Sequence, residues 1–298
     1  MGLALACSIF AAAPVSAQRM TDEELAAAIQ NLNAPAPETR AAAVDLLSSR
    51  AWRNRRQLAP HFRRLLRDDP DWRVRASAGR AVGRLSLREA VPDIVRALRD
   101  RQVEVRVVAA AALWRLPDPA AVPALVDLLG DADPAARQWA ALALGVVRDN
   151  RATVPLTRVL GDAEGAVRLD ALRSLGRIAD AAALDPLVRF ASNEDRPMEE
   201  RLEAINAIAR LDGTEKVNAL TRLLRSPNRA VRLQVVQALG EVGDALVIPA
   251  LRRQRASERD SEIISAIQQA TRAIEERASR PAATSGAPSS PLGGVSAR

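Results

Sequence analysis

The feature that most constrains this chain is an internal repeat of 31 residues. Sliding the sequence on itself by that distance places Arg75 on Arg106, Arg106 on Arg137 and Arg137 on Arg168; after a two-residue insertion, Arg201 falls on Arg232. Six residues before each of these arginines stands an acid in five of six cases: Asp69, Asp100, Asp131, Asp162 and Asp195, with Ser226 in the sixth. A fixed period in the range of roughly 20 to 50 residues points away from one compact core and toward units stacked in a line. Nearly everything from Pro37 to Ile274 is a variant of the unit Asp100 to Gly130, DRQVEVRVVAAAALWRLPDPAAVPALVDLLG.

Each unit reads as two helices. In the unit from Asp100, a first helix over about Val103 to Leu116 is apolar on most sides, and a second over about Ala120 to Leu129 has one apolar face at the helical period. Neither buries its surface alone, so neighbouring units must complete the core. Phe totals 3 and Tyr 0, so that core is built from Ala, Leu and Val and requires close helix spacing. Pro92, Pro123, Pro155, Pro186 and Pro249 fall near the start of the second helix, where a missing N–H is no loss. Asp133 and Asn228 are expected N-caps of first helices. Gly83, Gly145, Gly176 and Gly240 share one late column of the first helix, which signals a close contact or a helix end. Thr21-Asp22-Glu23-Glu24 starts a preceding helix that caps the array.

The ends read differently. Residues 1–17, MGLALACSIFAAAPVSA, form an apolar run closing on the small-x-small site Val15-Ser16-Ala17, the pattern of a secretory signal cut after Ala17, although a basic leading segment is missing. The run is shorter than the roughly 20 apolar residues of a bilayer span. Removing it takes away Cys7, the one cysteine, and leaves a periplasmic or secreted chain without thiol chemistry. Residues 18–278 are the repeat array, and 279–298, rich in Pro, Ala, Ser and Gly, read as a disordered tail.

The stretches LRDRQVEVRVVAAAALWRL, LGDADPAARQWAALALGVV, LGDAEGAVRLDALRSLGRI and LRSPNRAVRLQVVQALGEV resemble short HEAT repeats of the phycobilisome-lyase type, whose consensus is roughly D-x-x-x-x-VR-x-x-A-x-x-A-L-G before a proline-started second helix. That resemblance covers most of the chain and implies an all-α fold, an α-solenoid wound as a right-handed superhelix of about seven to eight helix pairs. It also implies that the Asp and Arg columns form a hydrogen-bonded ladder between units, and that second helices line a concave surface. Such arrays serve mainly as binding scaffolds, so the fold alone names no activity.

Departures from the repeat are where function is expected. Between Arg50 and Arg88 twelve arginines face only Asp68, Asp69 and Asp71, an excess of nine positive charges against seven for the whole chain. On a helical wheel Arg53, Arg56, Arg63, Arg64 and Arg67 share one face opposite Leu58, Phe62, Leu65 and Leu66. Such a stripe suits carboxylate or phosphate, with a solvated helix face the favoured reading. A second column, Arg64, Arg96, Asp127, Arg158, Arg189, Arg222 and Arg253, recurs on the second helices and points away from their apolar sides.

Trp139 stands in a column otherwise holding Ser77, Val108, Asp170, Glu203, Gln234 and Ser265, which predicts a partly exposed partner anchor. Trp114, in the glycine column, reads as local packing. Trp52 and Trp72 flank the basic segment in a way that suits stacking on a base or sugar, with core packing the favoured reading.

His61 is the single histidine, and no nucleophile triad, metal-ligand cluster or phosphate loop can be assembled; Glu199 and Glu200 read as a helix start. No cofactor is implied. The reading is an exported, non-enzymatic scaffold binding an acidic protein segment or an anionic envelope component. Two alternatives come from resemblance: a chromophore-attachment factor like the bilin lyases, and a nucleic-acid-binding protein like the HEAT-like alkylpurine DNA glycosylases. Export disfavours both.

Overall fold

The computed structural model describes residues 20–279, so the expected signal segment, residues 1–17, and all but the first residue of the expected tail lie outside the described residues. Sixteen α-helices and no strand occur among those described. They are α1 (Asp22–Asn31), α2 (Pro37–Arg50), α3 (Arg55–Asp68), α4 (Trp72–Leu85), α5 (Val91–Ala97), α6 (Val103–Arg115), α7 (Val122–Leu128), α8 (Pro134–Val147), α9 (Thr153–Val159), α10 (Gly165–Ile178), α11 (Leu184–Ser192), α12 (Met198–Arg210), α13 (Glu215–Leu223), α14 (Arg229–Val242), α15 (Ile248–Ser257) and α16 (Ser261–Ser279). Even-numbered helices are the first of each unit and odd-numbered ones from α3 are the second. The result is seven complete pairs between a leading helix and a closing one.

Each first helix packs on the first helix of the next unit, and each second helix packs on the first helix that follows it. The sequence explains this layering. First helices such as α6 bury Val105, Val108, Ala109, Ala110, Ala111, Ala112 and Leu113, surfaces that a single neighbour could not cover. Three of the seven second helices are only seven residues long, and six of the seven are entered through a 3₁₀ turn. In those turns Asp118, Asp149, Asp180 and Asp244 accept the backbone N–H two residues on. The expected caps are present: Asp133 accepts from Ala135 and Ala136, Asn228 from Ala230 and Val231, and Thr21 and Glu24 form a capping box on α1.

The glycine column answers to close approach. A Cβ on Gly145 would lie 2.9 Å from Ser174 Cα, and one on Gly176 would lie 3.1 Å from Ala207 Cα. First helices therefore touch backbone to backbone, as a core short of aromatic side chains requires.

The ladder forms, with its rungs tied across units. Arg75 donates Nε and Nη2 to the two carboxylate oxygens of Asp100 at 2.7 and 2.8 Å, while its Nη1 reaches the carbonyls of Asp69 and Pro70. Arg40 to Asp69, Arg106 to Asp131 and Arg137 to Asp162 repeat this fork. Each Asp also accepts a backbone N–H from its own loop, as Asp131 does from Asp133. A planar guanidinium with fixed donor directions accepts only one offset between units, which is how the rung sets stacking register.

One sequence expectation fails here, while Glu199 and Glu200 do stand in the first turn of α12. Asp195 is exposed and outside the ladder; Arg168 pairs with Glu200 at 2.6 Å, because the two-residue insertion carries Asp195 off and brings the first turn of α12 in. Glu200 is thus a buried rung, while Glu199 stays on the surface. Where Ser226 replaces the acid, Arg201 is only 3% exposed, and its single side-chain hydrogen bond is from Nε to the carbonyl of Ala191.

Candidate functional site

The second-helix column is exposed along its whole length. Arg64 lies on α3, Arg96 on α5, Asp127 on α7, Arg158 on α9, Arg189 on α11, Arg222 on α13 and Arg253 on α15, all on the solvent side. Their helices are oriented by the opposite faces: Leu58, Phe62, Leu65 and Leu66 on α3, Val91 and Ile94 on α5, and Leu187 and Phe190 on α11 are buried. Arg64 donates to Asn33 Oδ1 at 2.7 Å, and Asp127 pairs with Arg99 at 2.8 Å. The side chains of Arg96, Arg158, Arg189, Arg222 and Arg253 make no hydrogen bond or ion pair among the described residues.

The N-terminal stripe is less uniform than a wheel suggests. Arg53 lies in the 3₁₀ turn Trp52–Asn54 before α3, not on the helix, and its guanidinium sits 5.1 Å from the centre of the Trp52 ring. Arg63 is half-buried and bonded to Asp93 of the next unit at 2.5 Å. Arg67 chelates Asp68 and lies 3.8 Å from Asp93. Of the five stripe arginines, only Arg56 has no side-chain partner among the described residues. Buried Asp93, which the wheel of one helix could not reveal, converts part of the stripe into an inter-unit contact.

Between α3 and α5 a cleft of about 940 Å³ brings Arg67 and Arg96 together with Arg99, Arg101, Asp68 and Asp93. The hydrogen bond from Arg67, with the charges of Arg67, Arg96 and Arg64 behind it, holds the Asp68 carboxyl below its ordinary value against a smaller opposing effect of desolvation. This end of the face is a field of fixed cations.

The tryptophans change places. Trp139 is 1% exposed, and its ring meets Trp114 edge to face at 6.2 Å, so it anchors the core and not a partner. The column misled because two of its polar members, Ser77 and Asp170, are buried as well and are satisfied by neighbours outside it: Asp170 accepts from Gln138 and Arg173, and Ser77 from Arg80. Trp52, read as a core residue, is 53% exposed, and Trp72 is half-buried against the core. His61 is half-buried on α3.

A further group that sequence reasoning passed over lies where three first helices end: Arg148, Arg173, Arg177 and Arg210 surround one cleft with Glu203. The signal was available in the glycine column, since Gly145 and Gly176 stand where the α2 unit has Ser48, a side chain that accepts from Arg84.

Chemically, these surfaces offer fixed positive charge. Among the described residues no group of His, Cys, Asp and Glu could hold a metal ion, and no helix is long and apolar enough to cross a membrane.

The fold and its faces define an α-solenoid of paired-helix repeats. The sequence matches the HEAT repeats family over residues 25–106, 91–165 and 195–272, and the PBS lyase HEAT-like repeat over residues 167–193. The chain belongs to the HEAT-repeat family. No curated protein matches its sequence. Among solved structures it is similar to an engineered protein (20% identity, 85% of this chain and 79% of that one, TM-score 0.54). It is also similar to the Escherichia coli protein YibA (22%, 91% and 96%, TM-score 0.51). The complex of CpcE and CpcF of phycocyanin lyase from Nostoc sp. PCC7120 aligns at 19% identity over 89% of this chain and 98% of that one, with a TM-score of 0.49. The likeness to the engineered protein and to YibA, at these identities, shows the fold alone.

Proposed function

We propose that this protein is an exported, non-enzymatic HEAT-repeat scaffold that binds an acidic protein segment along its second-helix face. The observation that carries the reading is the exposed row Arg64, Arg96, Arg158, Arg189, Arg222 and Arg253, five of whose six guanidiniums have no partner among the described residues. Packed helices stand roughly 8–10 Å apart, and an extended peptide rises roughly 3.3 Å per residue. An acid at about every third residue therefore meets successive arginines of the row. Arginine suits this task because its fork engages a carboxylate bidentately while its stem lies on the helix surface.

Asp127 interrupts the row and is tied to Arg99, which divides it into an N-terminal part beside the α3–α5 cleft and a C-terminal part from α9 onward. Export rests on the apolar run ending at Ala17.

Binding is tested by fluorescence anisotropy with a glutamate-rich peptide. The expected result is an affinity that falls with added salt and drops at least about tenfold in the Arg158→Glu, Arg189→Glu double variant. Equal affinity of the variant and the wild type refutes the face. Export is tested by the mature N-terminus: a chain beginning at Gln18 in the envelope fraction is expected, and an uncut chain in the cytoplasmic fraction refutes it.

A further inference from the structure

A second basic surface lies on the first helices. Arg148 follows the last turn of α8, Arg173 and Arg177 lie on the closing turns of α10, and Arg210 ends α12; with Gly176, Ala179 and Glu203 they line an open cleft of about 630 Å³. No residue of this cleft belongs to a second helix, so it is independent of the arginine row.

The charges do not cancel. Arg173 is paired with Asp170 at 3.2 Å, and Arg210 lies 3.8 Å from Glu203. Arg148 and Arg177 have no ion pair among the described residues, so two of the four cations are uncompensated. Moreover, Nη1 of Arg177 is buried and has no hydrogen-bond partner. A buried N–H of a charged group without an acceptor is costly, and structures rarely keep one without a reason.

The repeat supplies an internal control. Arg84 is the counterpart of Arg177 three units earlier in the same column, and its Nη1 donates to Ser48 Oγ of the preceding first helix at 3.1 Å. The position in α8 equivalent to Ser48 is Gly145, which has no side chain to accept from Arg177. The position in α10 is Gly176, and the Cδ of Arg210 would lie 3.5 Å from a Cβ there. The internal acceptor is thus absent at two successive junctions, while the arginines that would use it are retained.

Arg148 stands at the end of α8 in a left-handed backbone, φ 56°, the conformation that Ser86 and Ala179 hold at the ends of α4 and α10. The negative ends of the first helices steady these cations against each other and offset part of their field. Diffuse attraction is therefore weak, and a ligand must be gripped by direct forks.

We propose that the cleft is a binding site for a phosphate monoester, a dianion whose three terminal oxygens accept from Arg177, Arg148, Arg173 and Arg210 together. Two uncompensated positive charges match its charge, and tetrahedral oxygens suit donors arriving from three helices in a way that a single carboxylate does not.

The test is isothermal titration of the full-length protein with inorganic phosphate, glycerol phosphate and succinate as probes. Saturable binding near one equivalent is expected for glycerol phosphate, and for inorganic phosphate if the phosphate group alone is read. Binding should weaken at least about tenfold in Arg177→Gln and remain unchanged in Arg272→Gln, an exposed position on the closing helix α16 that belongs to neither surface. Arg177→Gln removes an unsatisfied group and is expected to fold; its melting temperature, measured alongside, separates lost binding from lost structure. Absence of saturable binding by both phosphate probes, preference for succinate over both, or equal affinity in Arg177→Gln overturns the proposal. Glycerol phosphate binding without inorganic phosphate binding shows that the site reads the organic moiety as well and supports it.

Discussion

Replacing Asp131 by alanine tests whether the ladder, and not the number of ion pairs, holds the units in register. The side chains of Asp131 and Arg106 are 9% and 18% exposed. Asp131 receives two bonds from Arg106, at 2.7 and 2.8 Å, and one from the backbone N–H of Asp133 at 2.9 Å. Alanine leaves a cation and an N–H facing a space with little water. Removing one partner of a buried pair costs about 3–5 kcal/mol. Arg106 keeps its Nη1 bonds to the carbonyls of Asp100 and Arg101, so the lower end, about 3 kcal/mol, is expected.

The matched control is Asp127→Ala, which breaks the Arg99 pair at a similar 2.8 Å but between side chains 64% and 72% exposed. Water replaces that bond, and the loss should stay below about 1 kcal/mol. Urea unfolding followed by circular dichroism gives both values. Hydrogen exchange at α6 and α8 shows whether the Asp131 variant opens at that junction, as nearest-neighbour stacking requires. A cost below about 1 kcal/mol for Asp131→Ala, or equal costs for the two variants, would refute the reasoning.

Ser226→Asp should complete the missing rung: it sets a carboxylate 25 residues after Arg201, the offset that serves Arg75, Arg106 and Arg137, and a rise in melting temperature with increased protection of α12 and α14 is the expected readout. An unchanged or lowered melting temperature counts against the rung as a stabilising device. Stability should also fall in acid through the ladder carboxylates. Hydrogen bonds from Arg232 hold Glu258 down to about 2 from its ordinary 4.5, with burial opposing, so the unfolded chain binds the extra proton between those values. The stabilisation is complete above pH 4.5 and is lost as pH falls toward about 2. Asp131 and Asp162, held low by hydrogen bonds from Arg106 and Arg137, act with the same sign. Melting temperatures from pH 6 to pH 2 should fall less steeply in Glu258→Gln; parallel curves contradict the linkage.

The sequence by itself determined the solenoid, because a 31-residue period with prolines, caps and glycines in fixed columns leaves few alternatives to stacked helix pairs. It also determined the exposed arginine column, since on a short amphipathic helix the face opposite Leu58 and Phe62, or Val91 and Ile94, has nowhere to go but solvent. The tertiary structure alone decided whatever depends on the next unit. Trp139 is buried and Trp52 exposed because their surroundings come from neighbouring helices, not from their own wheel. Arg63 is taken up by Asp93, and Arg168 finds Glu200, at sequence distances of 30 and 32 residues that no local pattern specifies. The cleft around Arg177 is the sharpest case: four arginines scattered from 148 to 210 become one site because three first helices end side by side, and because two glycines stand where the α2 unit has the acceptor Ser48. Periodicity fixes what each residue faces within its own helix, and stacking fixes what stands there to meet it.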